Sequence, residues 1–241
     1  MSIAFVIALI RKDNSIADIA WGMGFVLVAG LGLFLEKRFT ARTALVDLLT
    51  LVWGLRLSVY VFIRNRKKGE DFRYAKWRQE WGKWFIVRAY LQVFILQGVL
   101  LVLIAYPLIL ITYSKRAGLN ILDFVGTCVW LLGFCFESIG DRQLLAFKRE
   151  SVNKGKIMDR GLWRYTRHPN YFGEATIWWG IFLIALSAQN GWTALPSPIL
   201  ITFLLLRVSG VVLLEKKYRG NKEYAEYARK TSSFVPWRPK N

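Results

Sequence analysis

Chemistry concentrates in one stretch of the chain, Gly161-Leu162-Trp163-Arg164-Tyr165-Thr166-Arg167-His168-Pro169-Asn170-Tyr171-Phe172-Gly173-Glu174. Pro169 presets a turn or the first residue of a helix, and Asn170 can cap that helix. The helix N–H groups, with Arg164 and Arg167 alongside, describe an anion site. Trp163, Tyr165 and Tyr171 offer rings on which a flat heterocycle can stack, so a phosphate-bearing aromatic cofactor fits better than a simple ion. His168 is the single histidine, and Cys128 and Cys135 are the only two cysteines. These counts exclude His-rich di-iron chemistry and haem or zinc centres, leaving no metal site. The cysteines are seven apart in one apolar run, roughly 10 Å along a helix, too far for a mutual disulfide. They read as buried small apolar residues.

The elements that must position this stretch are apolar segments carrying a few ionisable groups. Such groups face a bundle interior and mark functional candidates. Glu137, Asp141 and Lys148 share one helical face, as do Tyr171, Glu174 and Trp178 on the next segment. Both faces converge on the end where residues 161–174 lie. Trp53, Arg56, Tyr60 and Arg64 form another stripe, Asp18 sits beside Trp21-Gly22, and Arg207 falls within the last segment. The alternative is an internal ion pair, Asp18 or Glu137 with Arg56, holding the bundle together.

Six apolar segments are long enough to span a bilayer: 15–35, 43–63, 89–113, 121–139, 171–189 and 197–215. Residues 1–10 are apolar but, as a helix of ~15 Å, would cross only half the hydrocarbon core, and they lack the features of a signal peptide. The expected fold is all-α, a polytopic integral membrane helical bundle forming a single membrane domain over 1–241. No tandem repeat or low-complexity tract is visible.

The 241 residues include 34 Lys+Arg against 16 Asp+Glu, a net charge of +18. That excess alone would fit a nucleic-acid partner, but 54% hydrophobic residues and a positive mean hydropathy point to a membrane partner and no nucleic acid. Of the 34 basic residues, 27 lie at residues 11–12, in loops 64–88 and 140–173, and in the tail 216–241. The positive-inside rule then makes both termini and both long loops cytoplasmic, in a bacterial inner membrane or, in a eukaryote, the endoplasmic reticulum. Residues 69–78, with Trp81 and Trp84, suit an interfacial amphipathic helix.

Residues 161–174, followed by Trp178-Trp179-Gly180, resemble the signature of the steroid 5-alpha-reductase C-terminal-domain superfamily, which includes sterol C14 reductases and an uncharacterised bacterial branch. The resemblance extends to Asp18, Trp21-Gly22, Trp53-Gly54-Leu55-Arg56, residues 69–74, and the tail with Glu215, Tyr224, Tyr227 and Phe234-Val235-Pro236. It implies reduction of a carbon–carbon double bond in a hydrophobic, lipid-like substrate entering from the bilayer, with NADPH inserted from the cytoplasmic side. It further implies cofactor contacts from Asp141, Asn170, Tyr171 and Glu174. Lys148 stands where steroid reductases have an arginine. Arg164, Arg167 and His168 become phosphate or ribose neighbours, as do Lys217 and Tyr218 in the tail. Tyr165 and Trp178 complete the cofactor set. The proton donor is Tyr74, Glu174 or Tyr171. The substrate-contacting Gln, Glu and Tyr set of steroid reductases has no legible match, and relatives usually carry an additional complete N-terminal helix.

A rival with the same architecture is the isoprenylcysteine carboxyl methyltransferase group, which binds S-adenosylmethionine through a similar Arg-His-Pro-x-Tyr-x-Gly run. Its tail carries paired glutamates, where this chain reads Glu215-Lys216-Lys217. Asn170-Tyr171 and the lysines favour a doubly phosphorylated dinucleotide. A non-catalytic lipid-binding scaffold would use Arg164 and Arg167 as headgroup anchors at ~1 kcal/mol each. It leaves the interleaved Asp141, Glu150, Asp159 and Glu174 unexplained.

Overall fold

The computed structural model describes residues 1–36, 39–66, 69–116 and 118–240, with Lys217 described by its backbone alone. The chain forms two compact units, Met1–Leu119 and Asn120–Asn241. Both are helical, and among the described residues the only extended pairing is an isolated parallel bridge between Thr166 and Ser232. The architecture is the expected all-α polytopic membrane bundle.

In the first unit, α1 (Ser2–Arg11) precedes two long helices, α2 (Ile16–Leu35) and α3 (Ala41–Asn65). The Thr40 side chain caps α3 by accepting from the Thr43 N–H at 3.1 Å. The two helices touch where side chains vanish: a Cβ on Gly22 would lie 2.6 Å from the Gly54 carbonyl oxygen. The Phe25 and Trp53 rings fill the next level, 5.3 Å apart. The helical run α4 (Phe72–Ile104) turns at Gly82, whose φ is +47°, and widens between Ala89 and Ile95. Its first turns are the expected aromatic segment, with Trp77 and Trp81 stacked at 5.2 Å. A short α5 (Tyr106–Thr112) closes the unit.

The second unit is built on α6 (Ile121–Arg149) and α7 (Pro169–Ala185). Asn120 starts α6 with a capping box, accepting from Leu122 N–H while Asp123 accepts from Asn120 N–H. The helices pack antiparallel along a glycine seam with a seven-residue spacing on each. A Cβ on Gly126 would meet the Gly180 carbonyl oxygen at 2.6 Å, and one on Gly133 would meet that of Gly173 at the same distance. At the end of the seam Gly140 admits Pro169 and Asn170. The last elements are α8 (Gly191–Lys216), interrupted at Ser209-Gly210, and α9 (Lys222–Lys230), capped by Asn221.

Three expectations are revised. Among the described residues five helices, α2, α3, α4, α6 and α8, are of full spanning length, and the sixth expected span is shorter. Segment 171–189 instead supplies the 17-residue α7, about 25 Å long. Its apolar residues, among them Ile177, Ile181, Ile184 and Ala185, are buried against protein. Hydropathy registers burial without distinguishing protein from lipid. Loop 140–173 begins only at Glu150, because α6 continues to Arg149 and carries Asp141 and Lys148 as helical residues. Cys128 and Cys135 are exposed, since the buried face of α6 runs through Gly126, Trp130, Gly133, Glu137 and Gly140.

The seam predicts opposite outcomes for two glycines. Gly173→Val drives a branched side chain into the backbone of α6 and should lower the melting temperature in detergent by roughly 5–10 °C, as expected for overpacking of several kcal/mol. Gly30→Ala, whose Cβ would meet open space within α2, should cause no loss of stability.

Candidate functional site

In the second unit, residues 161–168 are drawn onto α6 and the tail. Gly161 has φ +61°, and Leu162 N–H donates to Gln143 Oε1 at 3.0 Å. The Trp163 indole N–H donates to the Gly140 carbonyl at 3.0 Å, so this buried ring anchors the segment to α6. Tyr165 remains exposed, and its carbonyl accepts from Trp237 N–H. The helix begins as the sequence indicates with Pro169 at its first position. His168 is the N-cap residue, without a side-chain cap bond, and Asn170 lies inside the first turn as a half-buried residue instead of capping.

Arg167 is committed to structure. Its Nε and Nη2 donate to Glu215 Oε1 at 3.0 and 2.7 Å, and its Nη1 donates to the carbonyls of Ala228 and Thr231. Its backbone N–H donates to Ser232 O, and the neighbouring Thr166 hydroxyl donates to Phe234 O. One guanidinium thus ties together the 161–168 segment, the end of α8 and the C-terminus of α9. This geometry gives Arg167 a joining function.

His168 is buried and stacks on Tyr171 with ring centroids 5.5 Å apart and planes 13° from parallel. Its Nε2 lies 3.4 Å from the same Glu215 oxygen that receives Arg167. Asp141, Glu174 and Trp178 are buried, Lys148 is exposed, and the Lys217 side chain lies outside the described residues. The seam brings the two helices close at this end: a Cβ on Gly173 would press on the Glu137 backbone, and one on Gly140 would lie 3.3 Å from Asn170 N.

Two clefts flank α9. One, of about 540 Å³, is lined by Glu215, Lys216, Tyr218, Arg219, Lys222 and Tyr224, with the Tyr218 and Tyr224 rings stacked at 4.7 Å. Burial, and then the negative charge of Glu215, push the Tyr224 hydroxyl up to about 12. The other, of about 690 Å³, is lined by Arg160, Arg164, Glu223, Glu226, Tyr227 and Lys230. Burial foremost raises Tyr227 as well, and its hydroxyl donates to the Trp163 carbonyl. Both phenols are therefore neutral hydrogen-bonding groups at physiological pH.

The first unit holds a second centre that spacing alone did not reveal. The Tyr74 hydroxyl, fully buried, donates to Asp18 Oδ1 at 2.8 Å, and Arg73 Nη2 donates to Asp18 Oδ2 at 2.6 Å. Gln97 is the other hydrogen-bonding neighbour of Tyr74, and its Oε1 is buried with no partner. Asp18 pairs with Arg73, and Arg56 lies over the Tyr60 ring at 5.6 Å. The surrounding loop is knotted to the start of α2: Asp71 N–H donates to Ser15 Oγ, and Asn14 N–H to Glu70 Oε1. Burial pushes the Asp71 carboxyl up, but hydrogen bonds and charge from Arg73 outweigh it and hold the group below the usual carboxylate range. Asp18 and Tyr74 were each visible as candidates. Nothing in a 56-residue separation announces that they meet.

Comparison with known sequences gives this geometry a context. The sequence profile of the DUF1295 family, described as proteins of unknown function, matches residues 4–231. The chain belongs to the DUF1295 family. This is a steroid 5-alpha-reductase-like family, in keeping with the resemblance of residues 161–174. The chain is also similar to an uncharacterized protein of Schizosaccharomyces pombe, with 25% identity over 193 residues, 69% of this chain. The match spans 55% of that protein, so the chain corresponds to about half of its relative's length. No solved structure matches the chain. The family match runs through Asp18, Tyr74, Arg167, His168 and Glu215, and so takes in both centres.

The joining function of Arg167 is testable. Arg167→Lys retains charge but cannot hold Glu215 and two carbonyls at once. Loss of roughly 1–2 kcal/mol of local stability should make chymotryptic cleavage of the tail about tenfold faster, with Arg160→Lys as an unaffected control.

Proposed function

We propose that the chain is a membrane-embedded, NADPH-dependent reductase of a carbon–carbon double bond in a lipid or steroid-like substrate. The observation that carries this reading is the Asp18–Tyr74–Gln97 centre: a carboxylate, a phenol and a carboxamide gathered among apolar helices. These are the side-chain chemistries that contact substrate in steroid reductases, with aspartate in place of glutamate. A conjugated carbonyl brought there competes with Asp18 for the phenolic hydrogen, and the Gln97 amide adds a neutral polar partner. Hydrogen bonds to that oxygen stabilise the negative charge it gains as the adjacent double bond is reduced. Tyr74, whose hydroxyl is already held by a carboxylate in an apolar setting, is the proton donor in this reading ahead of Tyr171 and Glu174.

The second unit supports a cofactor-binding role. When bound, NADPH supplies the hydride. Asn170 and Tyr171 on the first turn of α7, with Glu174 and Asp141, are the residues that would hold its polar face. Exposed Lys148 and Arg164 are the cations for its phosphates. The buried His168 Nδ1, which has no partner, fits a site that receives a polar ligand. Tyr165 and Tyr218 remain as rings at the periphery.

Isothermal titration of detergent-purified protein should give micromolar affinity for NADPH, weaker binding of NADH and none for S-adenosylmethionine. Binding of S-adenosylmethionine without NADPH heat would replace the reductase by the methyltransferase reading. Asn170→Ala and Glu174→Ala should each weaken NADPH binding by about tenfold, the equivalent of one hydrogen bond, while Lys115→Ala leaves it unchanged. Equal effects at all three positions would favour a headgroup-binding scaffold.

The same reading has both termini and the long basic loops on the cytoplasmic side, which takes six crossings: the five long helices and the 17-residue α7, at the short end of the spanning range. In a background lacking Cys128 and Cys135, single cysteines at Lys76 and Lys115 should be labelled from opposite faces of the membrane. Labelling from one face would refute the assigned topology.

A further inference from the structure

We propose that His168 meets the bound cofactor through a hydrogen-bond-accepting Nδ1, its tautomer set by the Glu215–Arg167 pair. Glu215 Oε1 accepts two N–H bonds from Arg167, a group that only donates, and one more contact from Ser233 Oγ at 3.3 Å. An oxygen held in this way is a carboxylate oxygen, an acceptor. The His168 Nε2 placed 3.4 Å from it is attractive only as an N–H. In the neutral ring the lone pair then belongs to Nδ1. That nitrogen is buried inside the second unit with no partner, in a side chain only 4% exposed. Tyr171 stacks on the ring and the start of α7 fixes its backbone, so ring rotation is restrained from both sides.

An accepting nitrogen repels a phosphate oxygen and selects a donor. Of the groups on a nicotinamide dinucleotide, the ribose hydroxyls, the carboxamide N–H and the adenine amino N–H qualify, and the phosphates do not. His168 therefore reads a sugar hydroxyl or an amino or amide N–H, and phosphate recognition falls to the cations of the unit. The inference depends on the reductase reading only for the identity of the ligand.

The single histidine makes the test direct: ring-15N-labelled histidine in detergent-solubilised protein yields one imidazole spectrum. The expected spectrum of the free protein shows a pyridine-type Nδ1 and a protonated Nε2. Saturating NADPH should shift Nδ1 towards its hydrogen-bonded position. Glu215→Gln, which offers both an acceptor and a donor, should reduce the share of the Nε2–H form. His168→Phe keeps a ring against Tyr171 and should weaken NADPH binding about tenfold, the loss of one hydrogen bond. An Nδ1–H tautomer in the free protein would overturn the proposal, and so would an Nδ1 signal unmoved by both NADPH and S-adenosylmethionine. If NADPH binds by calorimetry yet Nδ1 stays in place, the accepting role fails and the reductase reading stands. If only S-adenosylmethionine binds and moves Nδ1, the accepting role stands and the reductase reading fails.

Discussion

Two helical backbones can touch only where side chains are absent from both, and the second unit depends on such a contact. Gly126, Gly133 and Gly140 on α6 face Gly180, Gly173 and the Pro169-Asn170 turn of α7. Without a hydrophobic driving force between helices in lipid, close packing of this kind is a principal source of association. It also explains how a helix too short to be counted among the long spans becomes the buried centre of its unit. The seam ends where the chemistry begins. Gly140 receives Pro169 and Asn170, and the residue after it is the buried Asp141.

Around that end, polar groups are organised by sharing. Glu215 Oε1 collects Arg167, His168 and Ser233, and Arg167 extends the cluster to the carbonyls of Ala228 and Thr231. A charged group with most of its donors satisfied is costly to remove but contributes little by itself to ligand binding. Its consequence is positional: the tail is held against residues 161–168, and the imidazole is held in one orientation. The first unit follows the same logic with different residues. Arg73 neutralises Asp18 and Asp71, leaving the Tyr74 hydroxyl and the Gln97 carboxamide as neutral polar groups in an apolar core.

Much of the fold was legible in the sequence because membrane helices obey a strong constraint: a backbone in lipid must satisfy its own hydrogen bonds. Long apolar runs therefore announced α2, α3, α4, α6 and α8, and Pro169 announced the start of α7. The same signal overestimated the length of α7, whose apolarity also serves protein burial. It also stopped α6 ten residues early, because polar residues such as Gln143 and Lys148 at a membrane edge do not end a helix. Part of the candidate site was equally legible. Residues 161–174 stood out by type, and Tyr74 was among the candidate donors.

What the sequence by itself determined was residue chemistry and its local periodicity: helix class, a membrane setting, and a motif rich in arginine, aromatic rings and one histidine. Only the tertiary structure decided which groups are already engaged. Arg167 and Arg164 are indistinguishable as letters, yet one is spent on Glu215 and the tail while the other lines an open cleft. Asp18 and Tyr74, 56 residues apart, become a bonded pair because separate helices bring them together. The physical reason is the range of the forces. Propensity and periodicity act over a few neighbouring residues, whereas a hydrogen bond acts over about 3 Å in space, at any separation along the chain.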